Sequence, residues 1–300
     1  MQIETFYDPA TFTLTYVVYD PKTKDAVIID PVLEYNPIGS HTDTKSAERY
    51  LEFVRSLGLE VHWILETHAH ADHLTSAQFL KAKLGASVAI GEGIREVQST
   101  FRPVFGFGPE FATDGSQFDR LLADGETIEA GSLVVKVIAT PGHTPACVTY
   151  RIDDCIFTGD ALFMHDYGTG RCDFPAGSSR DLYRSIQKLY RLPDETRVFV
   201  GHDYQPAARG LAYQTTIGKS KAHNPQLNQE TSEAAFISAR DARDQTLAAP
   251  RLLFQSVQVN ANAGILPRPN DAGVRLFVLP VNLFTPGDEH GTRTRQDQGQ

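Results

Sequence analysis

Cysteine and cationic side chains are scarce in this chain, and each scarcity closes off a class of protein. Three cysteines (Cys147, Cys155 and Cys172) in 300 residues make neither a paired disulfide framework nor a C-x-x-C zinc clip, so reduced thiols are expected. Of the three, only Cys172 stands beside a cation, Arg171, which would favour a more reactive thiolate. Lys and Arg number 28 against 37 Asp and Glu, a formal charge of -9, which argues against a surface that tracks nucleic-acid phosphates. No apolar run is long enough to cross a bilayer, and the opening MQIETFYDPA has neither a basic leader nor an apolar core. A soluble, cytoplasmic protein without membrane or nucleic-acid partners is therefore expected.

What remains is an ordinary globular composition with a strong alternation of strand-like and helix-like runs. TLTYVVYD (13–20), AVIID (26–30) and VHWIL (61–65) predict strands; KSAERYLEFVRSLG (45–58) and HLTSAQFLKAKLG (73–85) predict helices, each stopped by glycine. Beyond residue 118 come hairpin-like strands at 133–140, 147–152 and 155–159, a helix near 179–191, a strand at 197–201 and a polar helix near 229–246. The glycine- and phenylalanine-rich stretch 101–117 reads as a loop. Two similar halves, each running from strands into helices, imply an α/β fold with two sheets face to face and helices outside, a four-layer αββα sandwich. One domain over 1–284 is expected, followed by a polar tail, 285–300, without apolar periodicity.

The informative feature is where the histidines fall. HAHADH (68–73) sets His68, His70, Asp72 and His73 at the end of a predicted strand, and alternation by two would aim the first three to one side. His143, Asp160 and His202 follow three later predicted strands, each behind a glycine (Gly142, Gly159, Gly201) that permits a tight turn. Five of the ten histidines thus sit at strand ends. So many imidazoles and carboxylates gathered at one mouth predict a bound cation, because their burial is otherwise costly. His41, His62, His165 and His223 stand alone and read as ordinary polar residues.

At these residues the sequence resembles the metallo-β-lactamase superfamily, whose hallmark loop is HAHADH here, with His143, Asp160 and His202 at its remaining ligand positions. The resemblance implies metal at one edge of the sandwich, and two branches then compete. Persulfide dioxygenases hold a single Fe(II), one per chain, at the positions of His68, His143 and Asp160; His70, Asp72, His73 and His202 would surround it and orient water and ligands. Glyoxalase II enzymes hold two ions, one on His68, His70 and His143, the other on Asp72, His73 and His202, with Asp160 bridging.

The run GDALFMHDYGTGRCDFPAGS (159–178) is more similar to the dioxygenases, where G-R-x-D-F follows the carboxylate ligand, than to glyoxalase II with G-R-x-F-E. TPGHTPACVTYRI and GHDYQP point the same way. The implied reaction oxidises the terminal sulfur of glutathione persulfide with O2 as co-substrate, giving sulfite and glutathione; the alternative is hydrolysis of S-D-lactoylglutathione. A non-catalytic metal-binding sensor is the third reading. Two imidazoles and one carboxylate leave coordination positions open, as non-haem Fe(II) oxygenases require. For the two carboxylates of glutathione, Arg171, Tyr204 and Lys221 are the expected contacts. A rhodanese-type sulfurtransferase as partner and a homodimer complete the expectations.

Overall fold

The computed structural model describes residues 1–283; the expected tail, 285–300, lies outside the described residues. The first half runs β1 (Gln2–Asp8), β2 (Thr13–Tyr19), β3 (Asp25–Ile29), β4 (Val32–Asn36), β5 (His41–Asp43) and α1 (Lys45–Leu57). It continues through β6 (Glu60–Glu66), β7 (Leu74–Thr75), α2 (Ala77–Leu84), β8 (Ser87–Gly91), α3 (Ile94–Val104) and β9 (Arg120–Leu122). The second half has strands β10 (Thr127–Ala130), β11 (Leu133–Ala139), β12 (Val148–Ile152) and β13 (Cys155–Phe157), then α4 (Ser179–Leu189) and β14 (Arg197–Phe199). It ends with β15 (Gln214–Thr216), α5 (Ile217–His223), α6 (Glu233–Asp244) and α7 (Leu253–Asn260).

Two six-stranded sheets result, ordered β1-β2-β3-β6-β8-β9 and β10-β11-β12-β13-β14-β15, with β5-β4-β7 as a small third. The apolar runs of β2 and β3 are buried on both faces, and their alternation sorts them. Tyr16, Val18, Val27 and Ile29 join the core shared with Val135, Val137, Tyr150 and Phe157 of the second sheet. Val17, Ala26 and Ile28 face the other way, into a core completed by Ala47, Tyr50 and Val54 of α1, Leu80 of α2 and Val97 and Phe101 of α3. Leu182, Ile186 and Leu189 of α4 cover the second sheet. The order helix, sheet, sheet, helix is the expected sandwich. Among the described residues no helix is long and apolar enough to cross a membrane.

Each sheet has a parallel pair in its interior, β3 with β6 and β13 with β14. At one edge the two sheets are tied by reciprocal hydrogen bonds: Tyr16 Oη donates to Val200 O (2.6 Å) and Tyr150 Oη to Glu66 O (2.7 Å). Leu14 N donates to Gly201 O (2.9 Å) and Val148 N to Thr67 O (2.9 Å) at the same edge. The loops leaving β3, β6, β13 and β14 therefore converge there.

Three expected elements differ. The helix predicted from 73 begins at Ala77, because Leu74 and Thr75 pair with Leu33 and Val32 instead. The predicted loop from 101 begins later: α3 runs to Val104, with Pro103 in its last turn and Phe101 in the core. The helix expected from 229 begins at Glu233, where the Ser232 hydroxyl caps Ala235 N.

Candidate metal centre

HAHADH is not an extended segment. Strand β6 ends at Glu66, and residues 67–73 turn through bends before β7, so strand alternation is not what brings the imidazoles together. Asp30, at the end of β3 with φ 51°, organises the turn: its carboxylate accepts Thr67 N (2.7 Å) and Thr67 Oγ1 (2.8 Å). Gly159 opposite has φ 48°, and a Cβ there would lie 2.3 Å from Thr67 Oγ1, so only glycine lets the loop before Asp160 approach so closely.

Hydrogen bonding then fixes which nitrogen three of the histidines present. Thr67 Oγ1 spends its proton on Asp30, so at 3.0 Å it accepts from His68 Nδ1–H and leaves the lone pair on Nε2. His143 Nδ1 lies 2.7 Å from Arg171 O, a carbonyl that can only accept, which again puts the lone pair on Nε2. His73 Nδ1 donates in the same way to Leu74 O at 3.0 Å. Around Asp160, His143 Nε2 is 3.6 Å and His68 Nε2 4.0 Å from Oδ2, while His202 Nε2 is 3.2 Å from Oδ1. His70 turns Nε2 toward Asp30 Oδ1 (3.0 Å) and Glu66 Oε2 (3.7 Å).

Four groups of potential ligand atoms, each within 4.8 Å, occur among the described residues: His68, His143 and Asp160; His70, Asp72 and His202; Asp30, Glu66 and His70; and Asp25, Glu60 and His62, which shares no residue with the other three. The buried atoms His68 Nε2, His70 Nδ1, His73 Nε2, His202 Nε2 and Asp160 Oδ1 have no hydrogen-bond partner. Orphaned lone pairs buried together are expensive unless a cation accepts them, so these residues fit a metal. Charge agrees. Burial, with the neighbouring imidazoles, holds His68 well below the usual histidine range, and burial and His70 push His73 down to about 4, so both are neutral. Burial opposes ionisation of Asp72, but His202, His73 and His70 outweigh it and keep the carboxylate low. His70 is shifted upward, because Asp30 and Glu66 outweigh its burial; Glu66 is raised by burial and by Asp30.

A cavity of about 500 Å³ opens on this cluster, lined among others by Asp72, His143, Asp160, Arg171, Tyr204 and Arg251. Tyr204 stacks on His202 (5.5 Å, 21°), and burial with Asp160 and Asp72 raises its phenol well above the usual tyrosine range, so it stays a donor. Arg171 lines the cavity but its fork is occupied: Nε and Nη2 meet the Asp173 carboxylate at 2.5 and 2.6 Å, and Nη1 donates to Ala248 O (2.7 Å). Lys221 does not join them. It pairs with Asp194 at 2.6 Å, because antiparallel β15 carries the chain back to the far edge of the sheet, matching Thr216 to Arg197.

Several residues here carry no motif. Asn260, at the end of α7, donates to His70 O (2.8 Å) and His73 O (2.7 Å) and accepts Thr75 N (2.9 Å), clamping the loop from outside. A buried pair on α6, Arg240 with Asp244, braces the segment that holds His143. Asp244 accepts Cys172 N (2.7 Å), and Arg240 Nη1 reaches Gln226 Oε1 (2.9 Å), which itself accepts Thr169 N (3.1 Å). Arg251 lines the cavity with no ion-pair partner among the described residues.

The proximity of Arg171 does not activate Cys172: the guanidinium is taken by Asp173, and burial together with Asp244 raises the thiol instead. Cys147 and Cys155, also buried, are each pushed up to about 12. Near neutral pH the folded protein is expected to take up no iodoacetamide, and the unfolded chain three equivalents, by intact mass. A native adduct at Cys172 would contradict this.

A profile of the metallo-β-lactamase superfamily matches residues 8–202. The chain is 46% identical over 294 residues to a probable metallo-hydrolase of Burkholderia pseudomallei, covering 95% of this chain and 100% of that one. It is 44% identical to Glyoxylase B2 of Dictyostelium discoideum (94% and 98% covered) and 31% identical to the mitochondrial persulfide dioxygenase ETHE1 of Bos taurus (89% and 91%). The crystal structure of ETHE1 from Myxococcus xanthus superposes with a TM-score of 0.70 at 32% identity, covering 88% of this chain and 100% of that one.

Proposed function

The chain belongs to the metallo-β-lactamase superfamily, and from that premise we propose that it is an iron-dependent dioxygenase of glutathione persulfide. The reaction consumes one O2 and one water for each persulfide and releases glutathione and sulfite; the terminal sulfur is oxidised and its bond to the glutathione sulfur breaks.

The observation that carries this reading is the segment Gly170–Phe174. Its G-R-x-D-F pattern is read at the site itself, where Arg171 O fixes His143 and the Arg171 side chain, paired with Asp173, lines the cavity. The name of the bovine relative supports the same reading. An iron(II) ion held by Nε2 of His68, Nε2 of His143 and the Asp160 carboxylate would supply redox chemistry toward O2 while keeping positions open for the substrate sulfur.

The chain's residues do the rest. Thr67 and Arg171 O keep His68 and His143 in the tautomer that presents Nε2. The Tyr204 phenol donates into the cavity from its place on His202. Arg251, rather than Lys221, lines the cavity without an ion-pair partner among the described residues and is available to a glutathione carboxylate, so Arg251→Ala raises KM for the glutathione substrate about tenfold with little change in kcat.

The trio His70, Asp72 and His202 favours a second reading, a two-metal thioesterase acting on lactoylglutathione, in keeping with the relative named Glyoxylase B2. Protein purified anaerobically is expected to contain one iron per chain, and glutathione persulfide to drive O2 uptake with matching sulfite. Two zinc ions per chain with rapid lactoylglutathione hydrolysis and a flat O2 trace would replace the first reading by the second. His70→Ala separates them again: one ion on His68, His143 and Asp160 survives it, a paired site does not.

A further inference from the structure

The cavity at the metal cluster forks. One arm is the space already described, which carries Arg251, Tyr204, Asp72 and Asp160; the other, about 300 Å³, is walled by Phe174, Pro175, Leu247, Ala249, Pro250 and Leu253. Both arms share Ala71, His143, Arg171 and Pro250, so they meet beside a histidine of the cluster. The Phe174 ring lies 6.2 Å from the His143 ring and packs on Phe101 behind it at 5.2 Å, which makes this wall part of the core.

The chemistry of the second arm is one-sided. Its charged lining residues, Arg171 and Asp173, are bonded to each other through both carboxylate oxygens. A carboxylate or ammonium placed there would meet a pair whose charges already neutralise each other, so it would gain little against its lost hydration. Glutathione, with two carboxylates and an amine, suits the first arm, where Arg251 and Tyr204 stand. The apolar arm has room for an aliphatic or aromatic group of about six to eight carbons.

We propose that this arm receives the apolar substituent of a second substrate class, hydrophobic low-molecular-weight persulfides R–S–SH, whose sulfur then lies at the junction of the two arms. The proposal rests on the dioxygenase reading for the word persulfide; the arm's preference for an apolar group does not, and the two are tested apart.

Binding of n-alkanethiols from ethanethiol to octanethiol to the anaerobic metal-loaded protein is followed by calorimetry, with glutathione as reference. Kd is expected to fall about threefold to fourfold per methylene, as burial of a CH2 predicts, and to level off once the arm is full. Leu247→Asp, a change at the exposed rim, should weaken hexanethiol about tenfold and glutathione less than twofold. Phe174→Ala, which lengthens the arm, should move the levelling point to longer chains. A Kd independent of chain length, or one whose increments survive Leu247→Asp, overturns the proposal. Since no turnover is involved, a flat O2 trace would remove the dioxygenase reading and leave the arm's preference standing.

Discussion

Asp244→Ala is expected to destabilise the protein by about 3–5 kcal/mol, because it leaves the Arg240 guanidinium buried without its counter-charge. Both side chains are nearly inaccessible, at 3% and 4% exposure, so water does not relieve the loss. Urea unfolding followed by circular dichroism measures it. The double replacement Arg240→Met with Asp244→Leu should recover most of that stability, since a buried pair exchanged for packed apolar residues is often neutral. It should not recover the site. Cys172 N and Thr169 lose their anchors, the Arg171 carbonyl is no longer held against His143 Nδ1, and metal affinity in a chelator competition is expected to drop about 10–100-fold. A double variant that is stable and binds metal as tightly as the parent would show that α6 does not position the ligand.

His68→Ala is the second large effect, and its signature is a split between function and stability. Metal content should fall to background, and turnover by at least about a thousandfold, the several kcal/mol a bound ion lends a reaction. The metal-free variant should nevertheless melt close to the metal-free parent. His68 Nε2 makes no hydrogen bond, so without an ion the substitution relieves a buried orphan atom, which offsets much of what it loses in the Nδ1–H bond to Thr67 Oγ1 and in packing. The parent alone should gain stability on adding metal, in proportion to the logarithm of free metal over Kd. Equal stabilisation of both by metal would mean the ion sits elsewhere, at His70, Asp72 and His202.

Much of this arrangement was legible because the relevant signals are local. Strands β2 and β3 show as short apolar runs since they are buried on both faces, as is the end of β6 from Ile64, and α1 ends where predicted because Gly58, at φ 62°, caps it. The histidines betrayed the site through their number. Other features depend on partners distant in sequence. Leu74 and Thr75 look like the start of a helix until Leu33 and Val32 claim them as a strand. Helix α7 is short, and at Leu253, Val257 and Val259 largely buried, so it shows little polar face to give the period away. Lys221 lies only nineteen positions after His202, yet one antiparallel strand between them puts it at the opposite end of the sheet. The ion pair on α6 and the Asn260 clamp follow no spacing rule, because what they grip is backbone.

That clamp governs when the site can exist. Asn260 reaches back about 190 residues to His70 and His73, past the last residue matched by the superfamily profile. On the ribosome, where residues are added at about 5–20 per second and sequence-distant contacts form last, both sheets can close while the histidine loop still lacks its outer support. Competence for metal therefore arrives late in the life of the nascent chain, after α7 has cleared the exit tunnel.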